Sequence, residues 1–111
     1  MCTNQVLLEV VSPDQRYKVV VFLRDCGATT NYSSHVSIVP ARHKITNRSG
    51  GNVFIADTDH GRAPAGINGA PEVEVAWQSA NELSIRYNKA VRIFKSIDEL
   101  HAIEVRLEPV I

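Results

Sequence analysis

The run Val19-Val20-Val21-Phe22-Leu23, inside the segment Tyr17 to Leu23, constrains this chain more than any other feature. Five consecutive β-branched, aromatic and aliphatic residues suit a strand buried on both faces and are too few for a buried helix. They are also far short of the roughly 20 apolar residues that span a bilayer. A strand covered on both faces sits in the middle of a sheet. Its first partner is Gln5 to Val11, joined to it through Ser12-Pro13-Asp14-Gln15, where proline presets φ for a type I turn and aspartate can bond its own backbone.

The same period-two reading continues. His35 to Val39 is a strand ended by Pro40, and Val53 to Ala56 is a short apolar strand. Val73, Val75 and Trp77 face one side while Glu72 and Glu74 face the other, and Ser79-Ala80-Asn81 turns the chain so that Leu83, Ile85 and Tyr87 return to the core. Val91 to Phe94 and Ile103, Val105 and Leu107 supply the last two strands, with Glu104, Arg106 and Glu108 on the wet face. Ser96 to Leu100 reads as a turn or one helical turn.

No stretch has apolar residues at helical spacing. The expected fold is therefore all-β: an antiparallel meander folded as a small sandwich or open barrel. Val6 to Pro40 and Glu72 to Leu107 share a rhythm of strand, turn, strand, loop and strand, with propeller-blade-like hairpins. A closed propeller needs four blades of about 40 residues, which 111 residues cannot supply. One domain over 5–111 is expected, with 1–4 as an N-terminal tether or tail.

Three segments lack a regular pattern: 24–34, polar and small; 41–51, basic, ending in Ser49-Gly50-Gly51 and expected to be long and mobile; and 57–71. The last holds three of the six glycines and two of the five prolines. Loops on a rigid sheet are the usual place for binding function. The binding candidates are accordingly Arg24, Asp25, Thr29, Thr30, Tyr32, Asp57, Asp59 and His60.

Twelve basic and twelve acidic side chains cancel, and no Lys/Arg run exceeds two residues. The electrostatic footprint of a nucleic-acid binder is missing, so no nucleic-acid partner is expected.

Chemistry has few footholds. Cys26 stands near Arg24, and a nearby cation lowers a thiol pKa, but nothing in the sequence brings His35, His43, His60 or His101 to it as a base. Asp57 and Asp59 share one side of an extended segment with His60 next door, a donor set for a divalent ion and hence for a metal-dependent hydrolase. Their spacing matches neither a calcium loop nor a zinc site, so no metal, cofactor or catalytic residue is assigned. Glu72 and Glu74 fit cross-strand pairing with cations such as Arg86 better than paired-carboxylate hydrolysis. Cys2 and Cys26 can form one disulfide, a pair too small to fix the compartment.

In order, Ser12-Pro13-Asp14, Arg24-Asp25-Cys26-Gly27-Ala28-Thr29-Thr30, Val36 to Pro40, Gly50-Gly51-Asn52-Val53-Phe54 and Asp57 to Gly61 resemble a family of small bacterial proteins of uncharacterised activity, many assigned as lipoproteins. The resemblance spans about residues 5–95. It implies a cell-envelope, periplasm-facing lipoprotein with Cys2 as the lipidated residue and the membrane reached only through that anchor. The chain shows no signal segment ahead of Cys2, which keeps a cytoplasmic version open. The expectation is a non-enzymatic binding domain for a protein partner, with a homodimer as a further option. The alternative is a small inhibitor or immunity-type protein that blocks a toxin or defence enzyme.

Overall fold

A computed structural model describes residues 2–27, 32–66 and 68–111. Nine strands form: β1 (Thr3–Val11), β2 (Tyr17–Asp25), β3 (Ser33–Pro40), β4 (Phe54–Asp57), β5 (Val73–Ser79), β6 (Glu82–Asn88), β7 (Arg92–Ser96), β8 (Glu99–Leu100) and β9 (Ile103–Val110). They build two sheets, one in the order β1-β2-β3-β4-β7 and one in the order β5-β6-β9-β8. The all-β expectation is met, in its sandwich form.

The expected meander holds only for the first four strands. The chain then crosses to the second sheet for β5 and β6, returns for β7 and crosses again, and β6 pairs with β9 in parallel. Alternation encodes which face a residue takes, not which strand lies beside it. The sequence 96–100 contains a turn and the two-residue strand β8, not a helical turn. β1 begins at Thr3, so the expected tail gives way to sheet within the first four residues.

The apolar run of β2 lies between β1 and β3, buried on both faces as its composition requires. Its inward residues Val19 and Val21 meet Val36, Ile38 and Phe54 from their own sheet and Leu83, Ile85, Tyr87, Ile103 and Val105 from the other. Its outward residues Val20 and Phe22 form a second small cluster with Val39, covered by Ile45. The loop 41–53 therefore acts as a lid on the outer face of the first sheet. The type I turn at Ser12 forms as read, with Gln15 N–H donating to the Ser12 carbonyl at 2.9 Å and Asp14 Oδ1 accepting from Ser12 Oγ at 2.7 Å. That hydroxyl bond holds the Asp14 carboxyl below its ordinary pKa.

Candidate functional site

Most of the expected binding residues hold the fold together. Arg24 donates from Nη1 to Asn4 Oδ1 at 2.7 Å and to the carbonyls of Asn47 and Ser49 at 3.2 and 3.0 Å. It is a clamp that fastens the 41–53 loop to the first two strands, not a free loop cation. That loop is stitched along its length, contrary to the mobility expected of it. Asn52 donates to the Ile38 carbonyl and accepts from the Ile38 N–H, both at 2.9 Å, much as a neighbouring strand would. Asp25 Oδ1 accepts from Gly27 N–H at 3.0 Å. Thr29 and Thr30 lie outside the described residues.

Asp57 is buried, and its two carboxylate oxygens accept from Arg92 at 3.1 and 2.7 Å. Asp59 lies 3.8 Å from Arg62 and 4.0 Å from Arg92. The pair weighed as a donor set, with no metal assigned to it, is thus turned towards guanidinium groups. Among the described residues no group of three or more His, Cys, Asp or Glu is placed to hold a metal ion. His60 is exposed in a turn with φ 58°.

One unforeseen pair looks catalytic: Ser33 Oγ lies 2.8 Å from His35 Nε2. His35 Nδ1, however, accepts the Gly51 backbone N–H at 2.8 Å, and a backbone amide can only donate. The imidazole proton must then sit on Nε2, pointing at Ser33, so the ring cannot take a proton from that hydroxyl. Burial, reinforced by Arg24, pushes the His35 pKa down to about 4 and keeps the ring neutral. The pair fastens Gly51 and is not a nucleophile with its base.

Cys2 and Cys26 form a disulfide that ties the start of β1 to the end of β2. Lipidation of Cys2 would need the same sulfur. The two uses are exclusive, so Cys2 is a staple in this structure and not an anchor.

The strongest candidate site lies where the sandwich opens. β1 and β5 are edge strands, one in each sheet, and they face each other. At one end they are joined by Trp77 Nε1, which donates to the Val10 carbonyl at 2.9 Å. Away from that bond they part around a cleft of about 730 Å³, lined by Leu7, Leu8, Leu23, Ala65, Pro71 and Val73 among others. A bulge in β1 between Val6 and Leu8 makes this lining possible. Regular alternation would send consecutive residues to opposite faces, yet Leu7 and Leu8 both line the cleft. Val6, Leu7 and Leu8 remain 42, 42 and 44% exposed.

Of the expected loop 24–34, Arg24 and Asp25 end β2 and Ser33 and Ser34 begin β3, and Tyr32 and Ser34 meet the segment 69–71 beside this opening. Tyr32 covers Gly69 so closely that a Cβ there would lie 2.8 Å from Tyr32 Cδ2, and Gly69 has φ 91°. Ser34 Oγ donates to the Pro71 carbonyl. Of the expected site residues that are described, only Tyr32 reaches the border of the cleft in this way. The sequence signal for the cleft was Val6-Leu7-Leu8, three apolar residues in succession on a strand that should alternate.

The chain matches no protein-family model, no curated protein and no solved structure.

Proposed function

We propose that this chain is a non-enzymatic binding domain of the bacterial cell envelope that receives a protein partner at the cleft between β1 and β5. One observation carries the reading: a bulged edge strand turns two adjacent leucines into an open cleft, whose other lining includes Leu23, Pro71 and Val73 and the polar Ser34, Asn68 and Glu72. Aliphatic side chains left this exposed on a sheet edge are a usual mark of an interaction surface. The envelope setting rests on the Cys2–Cys26 disulfide, a bond that persists in oxidising compartments, without the lipid anchor at Cys2 that the resemblance implies. Against enzymatic work stands the use of Asp57, Asp59 and His35 in structural bonds.

A pull-down from envelope extract with the oxidised domain tests this. The expected result is a partner retained by the native chain and lost by Leu8→Asp, a change at an exposed position. A partner held equally by both moves the site elsewhere and refutes the proposal. Should the captured partner be an enzyme whose activity vanishes in a stoichiometric complex, the domain is an inhibitor acting through the same surface.

A further inference from the structure

The geometry points to an extended partner segment, alternating aliphatic and basic, that adds as a strand to the free edge of β5; this inference rests on the cleft being the binding site. Among the described residues β5 pairs only with β6, which leaves one edge without a strand partner there. A shallow trough starts at Leu8 and this edge, at Val73, Glu74, Val75 and Ala76, and runs back over the sheet to Gln78, to Ser84 and Arg86 of β6 and to Glu108 of β9. Because the trough exposes both sides of β5, its occupant would meet two different chemistries at every second residue.

On the inner side Val73 and Val75 pack towards the core, and the apolar cleft continues beyond Leu8. Aliphatic side chains of an added strand would enter there, next to the exposed Leu7 and Leu8. The outer side is acidic. Glu72 and Glu74 stand at β5 itself and Glu108 two strands behind them on β9, against the guanidinium of Arg86 on β6, which lies 3.7 Å from both Glu74 and Glu108. Three carboxylates to one cation leave an excess of negative charge, which Lys or Arg at the alternate positions of the segment would balance. The Trp77 to Val10 hydrogen bond joins the two edge strands at one end, so the inserted strand stops before Trp77. Strand addition supplies affinity through main-chain bonds and specificity through alternate side chains, which is the division of labour this edge offers.

The test uses the oxidised full chain and a labelled synthetic peptide of alternating valine and lysine, read by fluorescence anisotropy. Two control peptides accompany it, one with glutamate for lysine and one N-methylated along its pairing edge. The Val/Lys peptide is expected to bind at least about tenfold more tightly than either control, and Glu74→Lys, which leaves two carboxylates against two cations, is expected to abolish the charge preference. Amide exchange at Val73 to Ala76 should slow on binding. Equal binding of the N-methylated peptide, indifference to charge, no binding at all, or a second copy of the chain found on β5 by sedimentation each overturn the inference. If Leu8→Asp still loses a partner from extract while no peptide binds, strand addition falls and the cleft stands. If that partner is kept and no peptide binds, both fall.

Discussion

Gly50 and Gly51 are neighbours of the same type, yet alanine should act very differently at the two. At Gly51 a Cβ would lie 2.9 Å from the carbonyl oxygens of Phe54 and Val36 and 3.0 Å from the Val36 nitrogen. All three are backbone atoms of paired strands, which cannot rotate away. Overpacking against yielding side chains costs roughly 1–3 kcal/mol, so three rigid contacts place Gly51→Ala at the upper end, about 3 kcal/mol. The substitution also displaces the amide that His35 accepts. At Gly50 the nearest atom is His35 Cε1 at 3.3 Å, a side-chain atom, and the lower entropy of the unfolded chain offsets part of the contact. Gly50→Ala should therefore stay within about 1 kcal/mol of the native chain. Urea unfolding followed by Trp77 fluorescence gives both values on one scale. Equal, small effects would refute the close approach of the 41–53 loop to β3.

Acid should loosen the same region. His35 is held at about 4 in the folded chain against 6.5 when unfolded, so the unfolded state takes up the proton first. Stability is full above about pH 6.5, falls as pH drops towards 4 and levels below it; the loss is on the order of 3 kcal/mol, and urea midpoints for His35→Gln should lack that slope. Trp77→Phe should cost about 1 kcal/mol in thermal unfolding by removing the indole bond to Val10. Reducing Cys2–Cys26, which closes a sequence separation of 24, should lower stability by about 3 kcal/mol and shift the melting temperature downward. Ala102 has φ 60° in the tight turn between β8 and β9, so Ala102→Gly should stabilise by up to about 1 kcal/mol in the same assay.

Face and strand identity were legible from alternation, and strand order was not. Leu83, Ile85 and Tyr87 declared their common side, but nothing local says that β6 lies parallel to β9. The 41–51 segment reads as mobile because its own residues are polar. Its order comes from Asn4, Arg24 and His35 in other segments, through side-chain to backbone bonds that periodicity does not register. In two of the most distinctive stretches, Arg24 and Gly51 thus serve to fasten a loop. The cleft was hidden for a different reason. A bulge shows in sequence only as a lapse in alternation, and Val6-Leu7-Leu8 is equally consistent with a buried central strand.

The Cys2–Cys26 bond also bears on how copies of this chain treat one another. A strand held by a single neighbour is easily traded between two molecules, and β1 is an edge strand paired with β2 alone among the described strands. A covalent tie to its own β2 forbids that trade while the bond is intact. The apolar edge therefore stays available to foreign segments without becoming currency between siblings, and a reducing environment would open the exchange route that oxidation keeps shut.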